Sequence, residues 1–385
     1  MIRIGDLQFE SEERAALQRV IDSGRISEGP EVRAFEHEYA DWLGVKYCIA
    51  VSSGTAALMT GLTAMKYDER WDVVKVLIPA LTFIATANAV KLCGMVPRFC
   101  DIDQDTFCMD LDSIIDHKCD DVDLMMPVHL FGYPANMDRI LHNFIPTVED
   151  ACESHGSLYK GRRTGTFGLW SAFSFYIAHT VQAGEFGCVC TNDSSIAQAC
   201  RRIKAHGRVC ACDICTRNTS GCFRLKRGEP DPRFLSLYPG YNFKPMEFQA
   251  AIARCQLAKI DHNLERRLRN VYTLNKLLLP IEDKVKLPKF DESVAYMAYP
   301  LVLRESGNRD SVIGTLSSKG VESRPLFGSI PSQQPAYEQY KHLYNTPVAD
   351  RIGADGFYVG CHQYLTDDDV REMARVIIET VKGLE

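Results

Sequence analysis

Along residues 46–193, short apolar runs rich in β-branched residues alternate with longer stretches of helical periodicity. The runs at 46–53, 73–79, 96–102, 122–130, 145–149, 171–176 and 187–191 predict seven strands. Several are apolar throughout rather than alternating, as strands covered on both faces are. Between them, 55–65 and 83–92 are Ala-rich or amphipathic and predict helices. Strand–helix alternation of this kind predicts an α/β fold with a largely parallel central sheet. Residues 206–240 mix Cys, Arg, Gly and Pro without periodicity and read as a long functional loop. Pro245 opens a helical pattern running to about Leu279. The remainder, to Glu385, reads as a smaller α+β domain closing on a helix at 366–384, with Asp367, Asp368 and Asp369 in its first turn. The expected division is a large domain at 1–244, including the Cys-rich loop 206–240, and a connecting helix with a small C-terminal domain at 245–385.

At 385 residues the chain exceeds a single core. With 46% hydrophobic and 24% charged residues it is not a mainly disordered chain. A net charge of −6 disfavours a nucleic-acid binder. The longest uncharged stretch, 76–90, is interrupted by Pro79, Thr82 and Asn88 and falls short of the ~20 apolar residues of a membrane helix. The first six residues lack a signal-peptide apolar core, so a cytoplasmic protein without membrane attachment is expected. Fifteen cysteines are many for that compartment. Cys48, Cys93, Cys188, Cys190, Cys200 and Cys255 stand singly in apolar runs and read as small buried hydrophobes. Cys210, Cys212, Cys215 and Cys222 crowd into thirteen residues, and a reducing compartment makes metal binding their natural reading.

Four local motifs bear chemistry. Ser52-Ser53-Gly54-Thr55 ends a strand and opens a helix, where free amides and hydroxyls suit a phosphate, or simply cap the helix. Thr147 to Glu153 ends a strand on carboxylates, where α/β sheets bind ligands. Asp150 there suits a protonated pyridine nitrogen, as in pyridoxal-phosphate enzymes, or a helix cap. The third motif is Ser174-Phe175-Tyr176-Ile177-Ala178-His179 followed by Gly184-Glu185-Phe186-Gly187. The fourth is Gly240-Tyr241-Asn242-Phe243-Lys244-Pro245.

In order and spacing this set resembles the sugar aminotransferase superfamily of pyridoxal-phosphate enzymes, with the aspartate-aminotransferase-type fold (fold type I) and its seven-stranded sheet. The resemblance runs from Ser23-Gly24-Arg25 to Arg324-Pro325 and Gly360-Cys361-His362-Gln363. It implies that Gly54, Thr55 and Ser174 hold the cofactor phosphate and that Phe83 stacks on the pyridine. It further implies that Asp150 binds the ring nitrogen with Glu153 in the same site, and that Asn242 reaches the phosphate from the other subunit of a homodimer. The family's Schiff-base lysine lies five residues after the serine, and that position is His179 here. Imidazole cannot make the covalent link but moves protons near neutral pH. Within the superfamily this replacement marks the nucleotide-sugar 3-dehydratases, which use pyridoxamine 5'-phosphate (PMP) bound without a lysine.

One dehydratase branch, resembling CDP-4-keto-6-deoxyglucose 3-dehydrase, adds an iron–sulfur cluster. Its cysteine pattern is approached here, because 57 residues separate Cys152 from Cys210-Ala211-Cys212. The branch's fourth ligand would fall on Ser220, while Cys222 lies two residues further on. The expectation is therefore a [2Fe–2S] cluster on Cys152, Cys210, Cys212 and Cys222, with Cys215 as a competitor for the last place. Residues 201–228 carry eight Arg or Lys against one Asp, a net +7 that reads as a docking patch for an acidic electron-transfer protein or reductase. The function expected is PMP-dependent removal of the carbon-3 hydroxyl of a nucleotide-linked 4-keto-6-deoxyhexose, with electrons from the cluster. Alternatives are a cluster-free 3-dehydratase re-aminated by glutamate, an aminotransferase using Lys160 or Lys204, and a binding protein of the same family.

Overall fold

The computed structural model describes residues 1–112, 122–210, 212, 221–222, 225, 228–326, 331–340 and 343–384. Two helices that the strand–helix pattern did not mark come first, α1 (Ser11–Ser23) and α2 (Pro30–Leu43). Each ends on a glycine in the left-handed region, Gly24 (φ 65°) and Gly44 (φ 85°), a conformation side chains with a Cβ resist. The chain continues through β1 (Tyr47–Val51), α3 (Gly54–Lys66), β2 (Lys75–Pro79), α4 (Ile84–Leu92), β3 (Val96–Cys100), β4 (Leu124–Met125), α5 (Met137–His142) and β5 (Glu149–Asp150). A hairpin of β6 (Leu158–Tyr159) and β7 (Arg162–Arg163) precedes β8 (Trp170–Ser174), β9 (Gly187–Thr191) and α6 (Ser194–Ile203).

Strands β3, β2 and β4 pair in parallel, and β5, β8, β9 and β1 form a second group. Parallel bridges Met125↔Thr147 and Val128↔Asp150 join the two groups. The result is one seven-stranded sheet in the order β3-β2-β4-β5-β8-β9-β1, in which β9 alone runs against its neighbours. This is the largely parallel sheet expected. Helix α3 lies close along β8. A Cβ on Gly61 would stand 2.7 Å from the Trp170 ring, and one on Gly54 would stand 2.5 Å from Ser174 Cβ. Two glycines two turns apart thus seat the helix so that its N-terminus meets the C-terminal end of the strand.

The C-terminal part contains α7 (Glu247–Ala258), α8 (Ile260–Leu278), β10 (Val285–Lys286), β11 (Tyr299–Leu303), α9 (Arg309–Ser318), β12 (Ser323–Pro325), α10 (Pro347–Asp355), β13 (Gly356–Val359) and α11 (Asp367–Lys382). Its strands form an antiparallel sheet in the order β10-β11-β13-β12. The long helix expected after Pro245 is two helices, broken at Lys259 (φ −99°, ψ 5°). The Lys259 ammonium is held there by Glu10 (2.7 Å) and Glu13 (2.8 Å). α11 starts on a capping box in which Thr366 and Asp369 satisfy each other's backbone amides. The chain's start crosses to the small sheet, with Ile2 bridging Val321. Gly5 then packs so closely on the segment before His179 that a Cβ would lie 2.7 Å from Ile177 O.

Candidate active site

The C-terminal ends of β5 and β8 and the N-terminal end of α3 open onto a cavity of about 420 Å³. Gly54, Thr55, Phe83, Asp150, Cys152, Glu153, Ser174 and His179 all line it. The backbone amides that open a thirteen-residue helix, with the hydroxyls of Ser53, Thr55 and Ser174, form an anion cradle at one end. Any side chain at Gly54 would fill it.

Asp150 is buried, with Oδ2 accepting from Thr86 Oγ1 (2.8 Å) and Oδ1 from the Cys152 amide (3.2 Å). Burial pushes its carboxyl above the ordinary range, against the pull of these hydrogen bonds. No basic side chain hydrogen-bonds to it among the described residues. Glu153, also buried, accepts from the Phe131 amide (2.7 Å), and burial pushes its pKa up to about 8.

His179 is fixed by a tautomer argument. Its Nδ1 lies 2.8 Å from Ser174 O, and His155 Nε2 lies 2.7 Å from the same oxygen. A carbonyl only accepts, so both ring nitrogens carry hydrogen. The basic atom of neutral His179 is therefore Nε2, on a ring that lines the cavity. Burial lowers the His179 pKa to about 4, with a further push from the Arg267 guanidinium. His155 Nδ1 is correspondingly an acceptor, taking the Tyr39 hydroxyl proton at 2.9 Å. Arg267, fully buried on α8, donates to His179 O (2.9 Å), Met297 O (2.8 Å) and Gln363 Oε1 (3.0 Å). It ties the histidine's backbone to the segments at Met297 and Gln363.

Thr86, His155 and Arg267 escaped the sequence reading. Thr86 carries a faint signal, since Thr82 precedes it by one helical turn and their hydroxyls meet at 2.8 Å. Arg267 carries none, because a buried arginine in an amphipathic helix reads as a surface one. Tyr176, Glu185, Arg324 and Tyr358 complete the polar lining.

The donor set fits a pyridoxal-type cofactor. It offers an anion cradle that a Cβ would block, a buried carboxylate lacking a basic partner, and a half-exposed aromatic, Phe83, beside them. Comparison with known proteins points the same way. A model of the DegT/DnrJ/EryC1/StrS aminotransferase family matches residues 8–378. The chain belongs to this family.

Among DegT/DnrJ/EryC1/StrS relatives, a GDP-perosamine synthase of Caulobacter vibrioides is 31% identical over 384 residues, covering 96% of this chain and 95% of its own. A GDP-4-keto-6-deoxy-D-mannose 3-dehydratase of Yersinia pseudotuberculosis is 28% identical, covering 96% of each. The solved structure of the Escherichia coli GDP-4-keto-6-deoxy-D-mannose-3-dehydratase with bound hydrated PLP superposes with a TM-score of 0.86 at 25% identity, over 98% of this chain and 99% of the other.

These relatives lend the iron–sulfur branch no support. Among the described residues, no three of Cys152, Cys210, Cys212 and Cys222 have sulfurs within 4.8 Å of one another. Cys152 lines the cavity, its sulfur 3.1 Å from where a Gly54 Cβ would stand. Burial keeps that thiol well above its ordinary pKa. Cys215 and Ser220 lie outside the described residues, as do Arg217, Arg224, Lys226 and Arg227 of the basic stretch. Lys204 leaves the expected patch altogether, buried and held by Glu28 (2.8 Å) and Glu36 (3.3 Å). Lys160 is an exposed partner of Asp138. Neither lysine reaches the cavity, and no lysine lines it among the described residues. Asn242 is exposed and outside the cavity, its Oδ1 accepting from Lys244 Nζ. No helix among the described residues is long and apolar enough to cross a membrane.

Proposed function

We propose that this chain is a PMP-dependent 3-dehydratase of a GDP-linked 4-keto-6-deoxyhexose, working without an iron–sulfur cluster. The observation that carries this reading is His179, which stands where the family expects its lysine and has Nδ1 tied to Ser174 O. When bound, pyridoxamine phosphate supplies an amine for the sugar's carbon-4 ketone and a conjugated ring that takes up electron density.

The chain's own residues supply the rest. Asp150 would hold the ring nitrogen protonated, because a cation is what its buried carboxyl lacks. Ser53, Thr55, Ser174 and the α3 amides would bind the phosphate, and Phe83 would cover the ring. His179 takes and returns a proton at Nε2 while Ser174 O and Arg267 keep the ring and its backbone in place. Glu153, kept protonated near neutral pH, has a hydroxyl to donate into the site while still accepting from the Phe131 amide. A homodimer would add Asn242 of the second subunit at the phosphate. The two electrons that replace carbon–oxygen by carbon–hydrogen at carbon 3 would come from glutamate, oxidised to its keto acid.

His179→Asn should bind pyridoxamine phosphate normally and lose turnover by at least ~10², the scale of lost acid–base catalysis. His179→Lys should acquire a borohydride-reducible link to the aldehyde form of the cofactor. Near-normal dehydration by His179→Asn would reject the assignment.

A further inference from the structure

We propose that Cys48, Cys188 and Cys190 form a binding site for a monovalent soft cation, Cu(I), inside the large domain. The three sulfurs lie within 4.8 Å of one another, and the Cys188 and Cys190 sulfurs are 3.7 Å apart. All three residues are at most 2% exposed. The strand register produces the cluster. Cys48 on β1 stands directly across from Cys190 on β9, and Cys188, two residues along, points to the same face.

An ion bonded to sulfur at about 2.3 Å, the distance known for zinc thiolates, spaces three trigonal sulfurs by about 4.0 Å. The Cys188–Cys190 edge, 3.7 Å, is close to that, and the other two edges are within 4.8 Å. The ligands are all sulfur, which selects soft ions. Zinc prefers a fourth ligand, and the group offers three. The surrounding apolar cluster includes Phe35, Tyr39, Phe173 and Phe186, leaving a dry shell that suits a low-coordinate ion. Packing alone asks only for small apolar side chains, as Ala50 provides on the same face; it does not ask for three sulfurs around one point.

Binding replaces sulfur–hydrogen bonds by sulfur–copper bonds, releases the protons to solvent and moves no electrons. Two thiolates and one thiol around Cu(I) leave one net negative charge. The Lys204 ammonium hydrogen-bonds Ala50 O (2.9 Å) on the same strand as Cys48 and is itself paired with Glu28 and Glu36. This site is separate from the loop cysteines and does not depend on the reaction proposed above.

The test loads the reduced full-length protein anaerobically with Cu(I) from a glutathione buffer, desalts it, and measures copper per chain and affinity against a chromogenic Cu(I) chelator. One copper per chain is expected in the wild type and in the triple variant Cys210→Ser, Cys212→Ser, Cys222→Ser. Cys188→Ala and Cys48→Ala should bind at least about 100-fold more weakly, the upper end of what even outer-shell changes cost a metal site. In case those variants fold poorly, an anomalous difference map of copper-loaded wild-type crystals should place the ion among the three core sulfurs. No copper retention, retention of zinc in its place, loss only in the loop variant, or an ion located elsewhere would each overturn the proposal.

Discussion

At the level of single residues the site divides into what a local motif can show and what it cannot. Asp150, Ser174 and His179 were legible because each sits in a short run whose spacing is the signal. The hydrogen bonds that set their chemistry were not, because Thr86, His155 and Arg267 reach them from other elements. Two predictions belong here. In the proposed reaction His179 is the base, so activity should fall as pH drops through its pKa. With that pKa lowered to about 4 by burial, kcat/KM should stay flat from neutrality down to about pH 5, where an ordinary histidine would already be largely protonated. A pH–rate profile breaking near 6.5 would show a solvated ring. Asp150→Asn should bind cofactor more weakly and abolish turnover, whereas Thr86→Val should retain turnover at reduced cofactor affinity. Isothermal titration with pyridoxamine phosphate, alongside activity, separates the two.

Among the elements, α3 and β8 do the positioning. Their pattern was readable, but their closeness rests on Gly54 and Gly61, which in sequence look like two more small residues in an Ala-rich helix. Gly54→Ala places a Cβ 2.5 Å from Ser174 Cβ, so it should reduce cofactor affinity at least ~10-fold while the fold loses about 1–3 kcal/mol to overpacking. Ser53→Ala removes the acceptor for the Ala56 amide and should cost about 1 kcal/mol, read by urea unfolding of the cofactor-free protein. Helices α1 and α2 carried signals of their own, including Pro30 at a helix start and Gly24 and Gly44 beyond helix ends. They were passed over because the strand–helix alternation begins only after them. The break at Lys259 had no such signal. The Lys259 ammonium is held there by Glu10 and Glu13, more than two hundred residues away in the chain.

For the whole molecule, the seven-stranded sheet followed from the pattern. Linear spacing points to the four thiols crowded in one loop, whereas the meeting of the Cys48, Cys188 and Cys190 sulfurs depends on the register of β1 and β9, which spacing does not show. Buried titratable groups also shape overall stability. Glu153, raised to about 8, holds a proton in the folded protein that the unfolded chain sheds above about 4.5, so it weakens the fold as pH rises toward 8. His155, lowered to about 3, and His179 and His362, lowered to about 4, are neutral in the folded protein and protonate on unfolding below about 6.5. Three histidines outweigh one carboxyl, so together these groups make stability rise with pH up to about 6.5. Thermal melts of the cofactor-free protein should show that rise, and Glu153→Gln should gain stability relative to the wild type as pH rises toward 8.

The most direct test of the central claim is turnover by protein verified free of iron and acid-labile sulfide. GDP-4-keto-6-deoxymannose, pyridoxamine phosphate and glutamate would be supplied without any reductant, and products followed by mass spectrometry. Formation of the 3-deoxy sugar in step with 2-oxoglutarate is the predicted result. A reaction that proceeds only after iron–sulfur reconstitution and with an external electron donor would contradict it.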